Sequence, residues 1–485
     1  MYRKRIIIGI CLAASVLCAG HVFAAESFEI SGWIPYWRSV EGTASIAPHL
    51  NSFTEVNPFM YSVKSDGSLH ADSQLSNPEW RDLQTKARAL GIRFIPSVAW
   101  SDPDAIDDVL RDPLKRSAHV KALAREVYAY SLDGIDINYE AKYARTKQYF
   151  SQFLKELYDA IGYDKWVMCT IEARTPLSAR YSSVESIPSD IEYSNDFKAI
   201  GQYCDRVRIM AYDQGRVDVT LNDTHTDIYI PISDPVWVEK VMRLAAQEIS
   251  VEKLVMGIPT YGYEYDTYSE VGETEKKYSK LWSFNPGYAL DLATKLGRSA
   301  VRTSAGEMSL EFPAAESPEA QKPLPDATRV LIWSDASAIR KKVELAKTLQ
   351  LRGVAIFKID GGQDASIWDI VAQYKAGDLR AKTPDTKLNL DEGNVNVNSS
   401  GSVTIPVPTH DLAPGATGED VKNLQKLLNK QGFTIALSGP GSPGNETAYF
   451  GGATYRALVK FQKSRKIIPA VGRLGPLTRK AFQSI

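Results

Sequence analysis

The chain has 485 residues, 44% hydrophobic and 24% charged, with 57 Lys and Arg against 58 Asp and Glu. That length is too great for one ordinary core, so two or more domains are expected. The mixed composition fits a soluble globular protein, and nothing globally basic points to a nucleic-acid partner.

The opening "MYRKRIIIGICLAASVLCAGHVFA", residues 1–24, reads as an export signal. Arg3, Lys4 and Arg5 form a charged start, Ile6 to Gly20 an apolar core, and Val22-Phe23-Ala24 a cleavage site. The apolar run falls short of the roughly 18–20 residues needed to span a bilayer. A secreted or periplasmic protein is expected, with no integral membrane segment after cleavage. Only Cys169 and Cys204 then remain. They make no disulfide framework and no metal motif, and read as small buried residues on neighbouring strands. A bond between them stays open in an oxidising compartment.

From Phe28 to about Ala376, apolar β-rich runs alternate with amphipathic helical stretches. The candidate strands are "FEISGWIPYW", "FTEVNPFMYSV", "IRFIPSVAW", "LDGIDINYE", "WVMCTIEA", "RVRIMAYD", "KLVMGIPTYG" and "RGVAIFKID". Eight strands alternating with helices predict an α/β fold, a parallel (β/α)8 TIM barrel over residues 25–380. An open doubly wound sheet fits less well, because no Gly-rich phosphate loop follows the first strand. The seventh connection is too long for a simple loop, and predicts a small α+β insertion over about 262–335. Residues 381–411 lose apolar periodicity and gain Asn, Ser, Gly and Pro, as a linker does.

Residues 412–485 predict a small all-α domain of three helices, "GEDVKNLQKLLNKQG", "GGATYRALVKFQKSRK" and "GPLTRKAFQSI". Residues 413–485 hold eleven Lys and Arg against three Asp and Glu, a net of about +8. Residues 25–412 hold 43 against 55, about −12. A basic module on an acidic, enzyme-sized domain suggests an anionic anchoring surface, or merely a solvated face.

In "LDGIDINYE" Ile135, Ile137 and Tyr139 alternate with Asp136, Asn138 and Glu140. Alternate side chains of a strand point to opposite faces. A half-exposed strand would show the same pattern, but a parallel barrel strand has no solvent face. The polar row therefore points into the barrel, with Glu140 at the C-terminal end where barrel enzymes place their sites. Two buried carboxylates with no nearby Lys or Arg in sequence are costly, and such cost is usually tied to function.

"DGIDINYE" resembles the signature of family 18 glycoside hydrolases, the chitinases and endo-N-acetylglucosaminidases, whose usual form is Asp-Gly-x-Asp-x-Asp-x-Glu. "MAYD", Met210 to Asp213, resembles that family's second marker, and the long seventh connection resembles its insertion. The resemblance implies that Glu140 is the general acid and that the substrate's own N-acetyl carbonyl attacks the anomeric carbon. It implies that Tyr212 bonds the N-acetyl oxygen, that Asp213 holds the distorted sugar, that Asp136 steadies the row beneath Glu140, and that Asp133 and Gly134 brace the start of the strand. Trp33, Tyr36, Trp37, Trp100, Met210, Trp333 and Phe357 are candidate sugar platforms, though each aromatic could equally be core. Two departures stand out. Asn138 replaces the third Asp, and Phe357 stands where the family usually has Trp.

The C-terminal module is similar to the three-helix peptidoglycan-binding domain through Leu424-Gln425, Phe450-Gly451, Thr454, Phe461-Gln462 and Gly475-Pro476-x-Thr478. An exported glycosidase cutting after N-acetylglucosamine is expected, with peptidoglycan as its partner and chitin or chitooligosaccharides as the alternative. A non-hydrolytic glycan binder, with activity lost through Asn138, is the reading from another class. A monomer with no cofactor is expected, and the scattered His residues show no metal-ligand spacing.

Overall fold

The computed structural model describes residues 28–375 and 405–483, apart from 163, 226–227, 270–275, 318–325, 414–415, 437–440, 466 and 468–471. The expected signal segment lies outside the described residues. The chain divides into two compact units, residues 1–382 and 383–485.

In the first unit eight parallel strands close into a barrel. They run Glu29–Pro35, Glu55–Val63, Arg93–Phe94 with Ser97–Trp100, Gly134–Tyr139, Trp166–Glu172, Arg206–Met210, Leu254–Pro259 and Gly353–Phe357. Each pairs in parallel with the next, and the first pairs with both the second and the eighth. The third strand, expected as one run, is interrupted between Phe94 and Ser97. Pro96 sits in the gap, and a residue without an N–H cannot donate to the ladder.

Helices return the chain between strands, and several start on an Asp whose carboxylate accepts an orphan amide, among them Asp102, Asp112, Asp196, Asp234 and Asp335. Their apolar faces and the outward faces of the strands form one continuous core. The fourth strand is buried along its whole length. Gly134 opens it because a Cβ there would lie 2.2 Å from the Trp166 carbonyl oxygen.

Between the seventh and eighth strands the chain forms a five-stranded antiparallel sheet with one helix, Pro286–Leu296. Gly262–Ser269 and Thr328–Trp333 are paired in this sheet, so the excursion begins and ends together. Buried Glu307 accepts the Ile232 amide at 2.8 Å and lies 3.7 Å from buried Lys342, which fastens the insertion to the barrel.

Cys169, on the fifth strand, and Cys204, at the end of the helix Phe197–Tyr203, are disulfide-bonded. Cys204 is therefore not on a strand, as its sequence neighbourhood suggested. The bond closes a loop between residues 35 apart in sequence.

The second unit has helices Glu419–Lys430, Gly452–Ser464 and Pro476–Gln483. Leu424, Leu428, Leu458, Phe461 and Phe482 fill its core. Two buried glutamines repeat one device. Gln425 donates to Thr454 Oγ1 at 2.9 Å and Gln462 donates to Thr478 Oγ1 at 2.9 Å, each tying its helix to the start of the next.

Candidate active site

Strand alternation carries Asp136, Asn138 and Glu140 up the inside of the barrel, and the structure gives the three very different surroundings. Asp136 is fully buried and saturated. It accepts from Ser97 Oγ at 2.5 Å, Thr170 Oγ1 at 2.8 Å, Arg208 Nη1 at 3.0 Å and Trp33 Nε1 at 3.3 Å. Arg208, on the sixth strand, reaches across the barrel interior and also donates to Ser31 and Asn57. The expectation of carboxylates with no cation nearby is thus corrected twice: Arg208 is distant in sequence but adjacent to Asp136 in space, and Lys142, two residues past Glu140, acts on Glu140. Asp136 hydrogen-bonds neither Asn138 nor Glu140; it anchors the layer below them.

Asn138 donates from Nδ2 to Glu140 Oε1 at 2.9 Å. Its Oδ1 is buried with no hydrogen-bond partner, an acceptor facing the site. Burial raises the Glu140 carboxyl above its ordinary pKa; the Asn138 amide opposes that, the neighbouring Glu172 and Asp213 reinforce it, and Lys142 opposes it. A carboxyl whose pKa is raised, at the mouth of a barrel, is suited to act as a proton donor.

Asp213 lies just past the sixth strand with φ +59, a left-handed conformation that Asp tolerates better than most residues. It accepts from the Tyr261 hydroxyl at 2.6 Å. Tyr212 stacks on Phe357 with ring centroids 5.3 Å apart, and burial beside acidic neighbours keeps its hydroxyl protonated. Gly257 makes the room, since a Cβ there would meet the Tyr212 ring at 2.8 Å. Met210 ends the sixth strand, in register with Glu172.

The candidate platforms separate into two groups. Trp33 stacks on Phe59 at 5.2 Å and tilts against Phe357 at 4.9 Å, while Tyr36 and exposed Trp37 pack edge-on to Phe59. These rings form a floor on the first, second and eighth strands. Trp100 and Trp333 are not part of it. Trp100 is 4% exposed and packs on His119 and Tyr139, on the helix-facing side of the fourth strand. Trp333 is 1% exposed and packs on Phe284 inside the insertion. Asp133 sits at the opposite end of the strand, accepting the Phe94 amide at 2.9 Å.

Several participants were given no role from sequence, Glu172 and Asp360 being noted only as strand-end residues. Arg208 obeys the same alternation that marks Asp136, alternating with Val207 and Ile209, and could have been read that way. Phe59 and Tyr261 carry no local signal. Glu172 ends the fifth strand, where it accepts the Ala141 amide at 3.0 Å and the Asn195 side chain at 2.9 Å, with buried Lys142 at 3.6 Å. Asp360 joins the end of the eighth strand to the insertion, accepting from Lys358 and from Asn285.

Comparison with known proteins places this geometry. The chain is 19% identical over 377 residues to "Uncharacterized glycosylase YvbX" of Bacillus subtilis, covering 76% of this chain and 98% of that protein. It is 21% identical over 339 residues to the "Cortical fragment-lytic enzyme" of the same organism, covering 66% and 72%. Among solved structures, the spore cortex-lytic enzyme SleL of Bacillus megaterium shares the fold with TM-score 0.54 and 19% identity, over 71% of this chain and 73% of that one. A chitinase from Chromobacterium violaceum does so with TM-score 0.56 and 17% identity, over 72% and 99%. The sequence model for "Putative peptidoglycan binding domain" matches residues 417–482. The model for "Glycosyl hydrolases family 18" matches residues 32–362, from the first barrel strand to the loop beyond the eighth, and the chain belongs to that family of glycoside hydrolases.

Proposed function

We propose that the barrel hydrolyses the β-1,4 bond following N-acetylglucosamine in peptidoglycan, by substrate-assisted retaining catalysis, outside the cytoplasm. The observation that carries this reading is the pair at the top of the fourth strand, a buried carboxyl beside an amide. Glu140 donates its proton to the glycosidic oxygen as that bond breaks. Asn138, the residue beside it, carries an amide where a covalent glycosyl-enzyme route would need a carboxylate. Glu172 and Asp213 are already engaged by Ala141, Asn195 and Lys142, and by Tyr261. In keeping with membership of family 18, the attacking oxygen is the N-acetyl carbonyl of the substrate, closing an oxazolinium ring on the anomeric carbon. Tyr212 orients the N-acetyl group and Asp213 holds the sugar. Glu140, now a carboxylate, takes a proton from water as that water opens the ring, which returns the starting configuration and the starting protonation state.

The match to a peptidoglycan-binding domain supports a cell-wall substrate, as do relatives named for cortex lysis. The Cys169–Cys204 bond supports an oxidising compartment, and so does the opening of the sequence. We read the chain as a monomer whose C-terminal module holds the barrel on its substrate.

The test is to incubate the protein with purified sacculi and with chitin and to identify the reducing-end sugar released. N-acetylglucosamine ends from sacculi are expected. Glu140→Gln should lower the rate about 10²–10⁴-fold while leaving glycan binding in place. Muramic acid ends, or near-normal hydrolysis by Glu140→Gln, would refute the assignment.

A further inference from the structure

A second recognition element lies beside the acid. The segment following the fifth strand folds over a cavity of about 200 Å³, walled in part by Glu172, Arg174, Arg180, Tyr193 and Asn195. The aromatic floor occupies the first, second and eighth strands, and Glu140 stands on the fourth. The cavity lies past Glu140 in the order of strands, at the end of the fifth.

Its chemistry is specific. The Arg174 guanidinium is held between the rings of Tyr193, at 3.8 Å, and Phe197, at 4.0 Å, and donates to the Asn195 carbonyl at 2.7 Å. Arg180 is exposed, 6.0 Å from the ring of Tyr181. Among the described residues neither guanidinium has a carboxylate within ion-pair distance. Asn195 is 8% exposed and gives its amide to Glu172 Oε2, while its Oδ1 is buried with no hydrogen-bond partner. Glu172, the one acid in the wall, is engaged by Ala141, Asn195 and Lys142. The cavity thus offers two unmatched cations and one unmatched acceptor. A carboxylate adjoining an amide N–H is their complement, and a buried acceptor without a donor favours a ligand that supplies one.

We propose that this cavity receives the carboxylate-bearing substituent of the sugar on the leaving-group side of the cleaved bond, and so distinguishes peptidoglycan from a plain N-acetylglucosamine polymer. The inference rests on the reading of Glu140 as the acid. The carboxylate has two sources, the lactyl ether where no peptide is attached, or the peptide that elsewhere amidates it.

The experiment measures kcat/KM for wild type, Arg180→Gln and Arg174→Lys on three substrates: chitotetraose, glycan strands stripped of peptide, and strands carrying peptide. Arg180→Gln should lose about tenfold on carboxylate-bearing strands and stay within twofold of wild type on chitotetraose, as expected for one charge-assisted hydrogen bond. Loss only on stripped strands assigns the lactyl carboxylate, which is free only where no peptide is amide-linked to it; loss only on peptide-bearing strands assigns a carboxylate of the peptide, and loss on both means that the cavity takes either. Arg174→Lys, which keeps the charge in the aromatic sandwich, should lose less than Arg180→Gln. An equal loss on chitotetraose, or no loss on any strand, overturns the proposal. Binding of uncut strands to Glu140→Gln, with and without Arg180→Gln, repeats the comparison without turnover. If wild type cuts chitotetraose but not strands, and the binding difference persists, the peptidoglycan-hydrolase reading falls while the carboxylate site stands.

Discussion

Asn138→Asp should turn this enzyme into a faster one with a more alkaline working range. The replacement is nearly isosteric and changes one hydrogen bond. At present Asn138 Nδ2 donates to Glu140 Oε1 at 2.9 Å, which favours the ionised form of Glu140. An Asp removes that donor and puts a like charge in its place. Both changes raise the Glu140 pKa. The acid must be protonated to work, so the basic limb of the kcat profile should move to higher pH. Asp136 will not absorb the new interaction, because Arg208, Ser97 and Thr170 already hold it. The second effect is on the intermediate. A carboxylate beside the oxazolinium balances positive charge that an amide cannot, and one well-placed group of this kind is worth about 3–4 kcal/mol, or about 10²–10³ in kcat. The assay is kcat against pH for both proteins on one N-acetylglucosamine oligomer. A slower Asp variant at every pH, or a basic limb that moves down, refutes the reasoning. The unpaired Asn138 Oδ1 would then have to serve a purpose that a carboxylate oxygen cannot.

Glu55, buried at the start of the second strand, has its pKa pushed up to about 7 by burial and by Glu29. Its stabilising contribution is full below about pH 4.5, where folded and unfolded chains both carry the proton, and is lost as pH rises through 7. Glu55→Gln should therefore stabilise the protein by up to about 3 kcal/mol at pH 8 and by nothing near pH 4; equal urea midpoint shifts at both pH values would contradict this. Replacing both Cys169 and Cys204 with Ser should cost about 4 kcal/mol by loop-closure entropy, seen in urea melts; a change under 1 kcal/mol would show that the loop is held by its packing alone. Removing all residues after Thr404 should leave hydrolysis of short soluble oligomers within about twofold but reduce retention on sacculi in a pull-down, because each unit has its own core; equal retention of both forms would exclude an anchoring role.

What the sequence could show follows from what is local. The period-two pattern of Ile135 to Glu140 located the inward row, and the end of the strand located Glu140, because strand geometry fixes both. Asp136 was placed correctly in space but its surroundings could not be read. Its partners Ser97, Thr170 and Arg208 come from three other strands, and closure of the barrel alone brings them together. The same limit explains the tryptophans. Trp33 and Trp100 both sit within or at the end of a barrel strand, yet one lies on the inner floor and the other faces the helices. The third strand keeps its alternation past Pro96, so that Phe94, Val98 and Trp100 join the helix-side core while Ser97 faces Asp136 inside, but which of the two faces points inward is fixed only by closure of the barrel. Cys204 looked like a strand residue because it lies just before the run of the sixth strand, but Asp196 caps a short helix whose last turn ends there.

The disulfide has a consequence for how such a protein can change over time. Cys169 and Cys204 pin both ends of a segment that contains Glu172, Arg174, Arg180, Tyr193 and Asn195. Loops that are anchored at both ends can vary in length and sequence at small entropic cost, since each doubling adds only about 0.6 kcal/mol. Glu140, Tyr212 and Asp213 lie outside the pinned segment, on strands or at strand ends held by the barrel. The segment is thus an exchangeable cassette. A chain of this design can acquire a new preference for what its sugars carry by replacing one covalently bounded stretch, with the machinery that breaks the bond left in place.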